Sequence, residues 1–278
     1  MATTEPLRKA QTPGRVVAIN GGVRSERPDA LATEEPMEIR VGGPDQDAVQ
    51  VAVTMRTPGG DYELAAGFLF TEGLIEPADL HRVAYCDDIE AEEQRYNVVT
   101  VTLNRPFDPS GLRRNFYATS SCGICGKAAL EDVEVHCAAV GPGPSVTAAT
   151  ISSLPDKLRA KQKVFERTGG LHAAGLFTAD GALVSLREDV GRHNAVDKVI
   201  GEQLLAGGLP ADRHILQVSG RVSFELVQKA ARAGIPILAA VGAPSSLAVA
   251  AGDRLGLTIV GFVREERLNV YSHADRVV

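Results

Sequence analysis

Hydrophobic and polar positions change rhythm near the middle of this chain. In the first half the period is two. Val49, Val51, Val53 and Met55 alternate with Gln50, Ala52 and Thr54, the spacing of a half-buried strand. Residues 57–61 (TPGGD) make a turn, and Asp61 is expected to cap a short helix running to Phe70. A second alternating strand covers 95–103. Residues 31–115 therefore predict a small α+β domain. Residues 1–30, rich in Thr, Arg, Glu, Pro and Gly, are expected to form a flexible N-terminal tail.

From residue 116 helical and strand signals alternate. Ser152 or Ser153 is expected to cap a helix with Pro155 near its start, stopped at Gly169-Gly170. Residues 173–177 and 182–187 form a hairpin around 179–181. Helices over 192–206, 223–233 and 245–254 then alternate with strands over 214–218, 236–241 and 257–263. Such alternation with short links predicts an α/β sheet covered by helices on both faces.

Composition narrows the setting. The chain of 278 residues is 44% hydrophobic and 23% charged, as in globular proteins. No apolar run reaches the roughly 18 residues a spanning helix needs, and the first residues lack the pattern of a secretory signal. A cytoplasmic protein with no membrane partner is expected. The net charge of −6 disfavours general nucleic-acid binding but leaves room for a local basic pocket.

The strongest chemical signal is residues 120–126, SSCGICG. Cys122 and Cys125 lie within reach of one another, of one metal ion or of one transferred sulfur atom. Lys127 and the helical stretch it opens would lower a thiol pKa there. A zinc half-site lacks a second CxxC, and a thioredoxin-like motif lacks a βαβ context. Zinc-deaminase chemistry needs H-x-E and a later P-C-x-x-C. Here Ser121 stands before Cys122, and His172 is followed by Ala173-Ala174. Cys86 and Cys137 read as buried structural thiols. Three further groups suit an anion or nucleotide. Arg192 and His193 sit near a helix start, beside Asp189 and Asn194, which would make local capping bonds. Ser219 and Arg221 follow an apolar strand, where open sheets bind ligands. Phe262, Val263, Arg264, Glu265, Glu266 and Arg267 follow the last long strand, with two arginines for bidentate contacts.

Taken in order, SSCGICGK (120–127), RTGGLHAAGLF (167–177), REDVGRHNAVDKVIG (187–201), SGRVSFELVQKA (219–230), AVGAPSSLAV (240–249) and GFVREERLNVYS (261–272) resemble the formate dehydrogenase accessory sulfurtransferases, the FdhD family. The resemblance runs from about Glu34 to the end. It implies a three-layer α/β/α cytidine-deaminase-like sulfurtransferase domain over 116–278, preceded by the smaller α+β domain. It also implies a persulfide carrier. Sulfur would come from a cysteine desulfurase and pass to the molybdenum (or tungsten) bis-molybdopterin guanine dinucleotide cofactor, so that formate dehydrogenase, the client, becomes active. Cys122 and Cys125 take the catalytic role and 262–267 the cofactor-binding role. Arg192, His193, Ser219 and Arg221 are expected to help hold the anionic tails. A guanine nucleotide would mimic the cofactor. A homodimer without structural metal is the family expectation. Two readings of other classes stay open from the residues: a non-catalytic cofactor-binding chaperone and a zinc-stabilised binding module.

Overall fold

The computed structural model describes residues 9–86, 96–109 and 137–278. The chain enters through a hairpin of β1 (Gln11–Asn20) and β2 (Val23–Ala32), paired without a break from Gln11–Ala32 to Asn20–Val23. This corrects the expected flexible tail over residues 11–30. Gly21 and Gly22 both adopt positive φ (57° and 83°), as a tight two-residue hairpin turn requires. The backbone ladder holds the arm, although Ile19 and Val23 stay exposed. The overall composition of the segment hid the Asn20-Gly21 turn signal.

Next come β3 (Glu35–Gly42), β4 (Val49–Arg56), α1 (Asp61–Thr71), β5 (Leu80–Tyr85) and β6 (Val98–Leu103). Their sheet has the order β4-β3-β6-β5, parallel only between β3 and β6. Of the row Val49, Val51, Val53 and Met55 on β4, Val51 alone is buried, and Val49 is exposed at the strand's start. Val53 and Met55 are exposed, whereas Ala52 and Arg56 are buried. A register shift opposite Ile39–Arg40 lets neighbouring Val51 and Ala52 both turn inward and exchanges the two faces. Asp61 opens α1 behind Gly60, and its carboxylate grips the buried Arg56 at 3.1 and 2.8 Å.

The C-terminal region holds α2 (Ala148–Arg159), α3 (Lys163–Thr168), β7 (His172–Thr178), β8 (Leu183–Asp189), α4 (Arg192–Leu205), β9 (His214–Val218), α5 (Phe224–Arg232), β10 (Ile237–Ala240), α6 (Ser246–Leu255), β11 (Thr258–Arg264) and β12 (Arg267–Ser272). Thr147 caps α2, accepting a hydrogen bond from Thr150 N at 3.1 Å, so the helix starts ahead of the serines expected to cap it. β12 was not expected: residues 262–267 do not follow the last strand but hold the end of β11, the turn at 265–266 and the start of β12.

The sheet order is β12-β11-β10-β9-β7-β8, with β9, β10 and β11 parallel. On one face α2 buries Ile151, Leu154 and Leu158 against Phe177, Ile215, Ile237 and Val260. On the other, α4, α5 and α6 share one apolar cluster with α1 and the N-terminal sheet. This is the expected three-layer α/β/α arrangement. No helix among the described residues is long and apolar enough to cross a membrane.

Candidate functional site

The parallel strands β9, β10 and β11 end side by side, and their following loops are tied together. Gly242 N donates to Gly220 O at 2.9 Å, Phe262 N to Gly242 O at 3.1 Å, and Val222 N to Ala243 O at 3.1 Å. A side chain at Gly242 would meet Gly220 O at 2.9 Å, so glycine permits this close approach. Phe262 and Glu265 adopt positive φ (53° and 50°), a costly conformation for non-glycine residues; at Glu265 the tight β11–β12 turn imposes it.

A cavity of about 680 Å³ opens beside these strand ends, closed on its far side by α2 and α3. Ser219, Val263, Arg264 and Glu265 line it, together with His172. Four site residues expected from the sequence thus meet on one cavity at the place where open sheets bind ligands. Ser219 is fixed: its Oγ accepts from Ala173 N at 2.9 Å and its N donates to Ala173 O at 3.0 Å. Phe262, Arg221, Glu266, Arg267, Arg192 and His193 do not line the cavity. Phe262 and Arg267 share the β11–β12 hairpin with Arg264, which pairs directly with Arg267 across the ladder. Two like charges in that position repel. Neither arginine has an ion-pair partner among the described residues, despite Glu265 and Glu266 in the turn.

The Arg192–His193 group divides. Asp189 is wholly structural: it accepts from Thr57 N (3.1 Å), Gly191 N (2.8 Å), Asn194 Nδ2 (3.0 Å) and Lys198 Nζ (2.6 Å). Arg192 is left beside His172, whose pKa falls through partial burial and then through Arg192. Arg192 Nε is out of reach of solvent and has no hydrogen-bond partner among the described residues. His193 turns to α5. Its Nε2 lies 3.3 Å from Ser223 Oγ and 3.8 Å from Glu225 Oε2. Both groups approach the same nitrogen, so the trio lacks the base–orienter order of a hydrolytic triad. Burial, then Lys229 and Arg192, push the His193 pKa down to about 4.

Cys122 and Cys125 lie outside the described residues. Cys137 is buried, with Sγ 3.9 Å from Gln228 O, and burial pushes its thiol up to about 11. That is an inert packing thiol, as expected. Cys86 is half-exposed instead of buried, with Arg40 Nη1 4.0 Å from its sulfur.

Sequence reasoning missed the α2–α3 wall: Asp156, Arg159, Gln162 and Phe165 all line the cavity. Glu188 on β8 positions α3, accepting from Val164 N at 3.0 Å and Phe165 N at 2.7 Å. It also missed Lys229, buried between Asp197 (3.0 Å) and Glu72 (2.9 Å). Burial raises the Asp197 pKa to about 6. Only a break of amphipathicity, a lysine on the buried side of α5, marked that cluster.

Fold and site together define an α/β/α protein with an arginine-bearing cavity at the carboxyl ends of its parallel strands. Residues 32–278 match the model of the FdhD/NarQ family, and the chain belongs to that family. It is 53% identical over 270 residues to "Sulfur carrier protein FdhD" of Streptomyces coelicolor, covering 95% of this chain and 94% of that protein. The protein of the same name from Mycolicibacterium paratuberculosis is 53% identical over 272 residues, covering 95% and 97%. The solved structure of a candidate formate dehydrogenase accessory protein from Desulfotalea psychrophila superposes with a TM-score of 0.73 at 27% identity, covering 97% of this chain and 100% of that one.

Proposed function

We propose that this protein carries sulfane sulfur on Cys122 and Cys125 and delivers it to the bis-molybdopterin guanine dinucleotide cofactor of a formate dehydrogenase. One observation carries the reading: Ser219 and the 263–265 segment share a cavity in a chain whose relatives are named sulfur carriers. The Cys122 thiolate attacks the outer sulfur of a persulfide on a cysteine desulfurase. A new S–S bond forms, the donor's S–S bond breaks, and the donor cysteine leaves as a thiolate. Cys125 is the second thiol, which accepts the sulfur or helps release it. The lone pair of arginines on the β11–β12 hairpin and Arg192 attract the cofactor's pyrophosphate tails, while Ser219 offers a hydroxyl. The metal-bearing cofactor is the substrate here, and the client enzyme does the formate chemistry. The proposed setting is a cytoplasmic homodimer.

The test is direct. The full chain is incubated with a cysteine desulfurase and cysteine, and the peptide holding residues 122–125 is weighed without reductant. Gain of one sulfur atom is expected, lost in Cys122→Ala or Cys125→Ala according to which residue accepts first. No added sulfur on either cysteine refutes the proposal. Activation of formate dehydrogenase by the Cys122→Ala protein would favour a pure chaperone instead.

A further inference from the structure

His172 opens β7 and borders the cavity, yet the proposed cofactor contacts give its ring no task. Its place is fixed from three sides. In the ladder it stands opposite Asp189 on β8. The next residue, Ala173, is tied through both N and O to Ser219. The ring lies over the loop after β9, where a Cβ on Gly220 would meet Nδ1 at 3.6 Å and Cε1 at 3.8 Å. The ring makes no hydrogen bond among the described residues, so neither nitrogen is committed to the fold. Its surroundings also keep it uncharged. The oxygens of Asp189 are taken up by Thr57 N, Gly191 N, Asn194 Nδ2 and Lys198 Nζ. Arg192 on α4 lies behind the ring. Partial burial first and Arg192 second lower the His172 pKa, and Asp189 offsets them only in part. The other charged groups on the cavity wall are Asp156 and Arg159 on α2 and Arg264 and Glu265 at the end of β11. Of these residue types, imidazole alone ordinarily exchanges a proton near neutral pH. A histidine built to hold an anion would be kept charged, whereas this one is kept neutral.

We propose that His172 is the proton-transfer residue of sulfur delivery, taking the proton of the carrier persulfide and returning it to the cysteine sulfur that departs. The persulfide, Cys–S–SH, first gives its proton to the imidazole. The outer sulfur of Cys–S–S⁻ then bonds to the metal of the cofactor, which is the substrate and enters reduced by two electrons. The S–S bond breaks, and its electron pair stays on the cysteine sulfur. The metal gives up two electrons, and the transferred sulfur becomes its sulfido ligand. The imidazolium finally returns the proton to the cysteine thiolate. The carrier ends as Cys–SH and His172 ends neutral, so one sulfur atom and two electrons have changed hands and no proton is lost. This inference rests on the sulfur-carrier reading and adds the group that handles the proton.

The test separates loading from delivery. The full-length protein is loaded with a cysteine desulfurase and cysteine, freed of the donor, and mixed with formate dehydrogenase carrying the reduced, sulfur-free cofactor. Loss of the added sulfur mass and onset of formate oxidation are followed in a single turnover across pH 5.5 to 8.5. His172→Gln should load sulfur as wild type does and bind GDP, the probe for the cofactor's tail, with wild-type affinity. Its delivery at saturating client should be about 10²- to 10⁴-fold slower. Wild-type delivery needs the neutral ring, so its rate should fall on the acid side with a midpoint below the ordinary histidine value of about 6.5. His172→Gln should lack that acid limb, and added imidazole should restore part of the rate in His172→Ala. His172 is exposed to the cavity, so both variants should fold normally. A purely structural histidine would move neither the acid limb nor the response to imidazole. The inference is overturned if His172→Gln delivers as fast as wild type, if its slower delivery keeps the acid limb, or if saturating client removes the defect. Those results leave the sulfur-carrier reading standing. A wild-type protein that never acquires sulfur sinks that reading, and the role of His172 with it.

Discussion

Gly201→Ala tests how the N-terminal unit is joined to the layer that carries the site. α1 and α4 cross with backbone against backbone. A Cβ on Gly201 would lie 2.7 Å from the Glu63 carbonyl carbon and 2.9 Å from Gly67 N, and one on Gly67 would lie 2.8 Å from the Asp197 carbonyl carbon. Ordinary contact begins near 3.4 Å, so the helices must part by about 1 Å or more. Neither obstacle is a side chain that swings aside. Intrinsic propensity runs the other way: alanine in a helix interior is favoured over glycine by about 1 kcal/mol. Overpacking costs about 1–3 kcal/mol, with rigid backbone at the upper end. Parting the helices also stretches Arg187 from Glu63, now 2.6 Å apart, and Thr71 from Asp197, now 2.7 Å apart. The net expectation is a loss of about 2 kcal/mol, or about 4–8 °C in Tm for a chain of this size. Urea unfolding followed by circular dichroism measures it. Gly141→Ala, where an added Cβ meets nothing within 4 Å, serves as control and should fall within about 0.5 kcal/mol of wild type. A Gly201→Ala protein as stable as wild type would refute the close-crossing argument.

Two further outcomes follow from the site. Glu188→Ala removes the acceptor of two α3 backbone N–H groups. It should cost about 1–2 kcal/mol and speed amide exchange at Val164 and Phe165, read by hydrogen–deuterium exchange; unchanged exchange there would contradict the capping role. His193 has its folded pKa pushed to about 4, below the roughly 6.5 of the unfolded chain. Between those values the unfolded state binds more protons, so this residue makes stability rise with pH across pH 4 to 6.5 and contributes no further slope above. The difference in urea midpoint between pH 4.5 and pH 7 should therefore be smaller in His193→Gln than in wild type, and an equal difference would count against a neutral His193.

How much was legible depended on whether a signal was local. The strand His214–Val218 was placed to the residue because a continuous apolar run between turn residues has few alternatives. The α/β/α layering followed from the same alternation. The exposed faces of Val53 and Met55 were not legible, because a bulge at Val51, which shows only in the pairing of β4 with β3, decides them. The arm of β1 and β2 was missed because its order comes from a turn and a backbone ladder, not from buried apolar residues. In the site, Ser219, Val263, Arg264 and Glu265 were found because strand ends are recognisable. Asp156, Arg159, Gln162 and Phe165 were not, because they join those ends only when α2 folds across the sheet.

The arginines offer a last argument about where a ligand belongs. Arg56 is fully buried and satisfied by Asp61, Glu35 and the Tyr96 carbonyl. Arg187 meets Glu63 and Glu202, and Arg276 meets Thr258 and the Gly141 carbonyl. The fold therefore completes its desolvated guanidinium groups wherever it uses them as structure. Arg192 departs from this rule: among the described residues it is the arginine with a nitrogen shut off from water and unbonded. A chain with 35 acidic residues against 29 basic ones has acids to spare, so scarcity does not explain the gap. Arg192 opens α4, where the helix dipole also favours negative charge, and it lies behind His172, which lines the cavity where Arg192 itself does not. An anionic tail arriving there would supply the missing acceptor. The proposed dinucleotide cofactor brings such tails, whereas a protein built only to pack would have placed a glutamate opposite Arg192, as it did opposite Arg187.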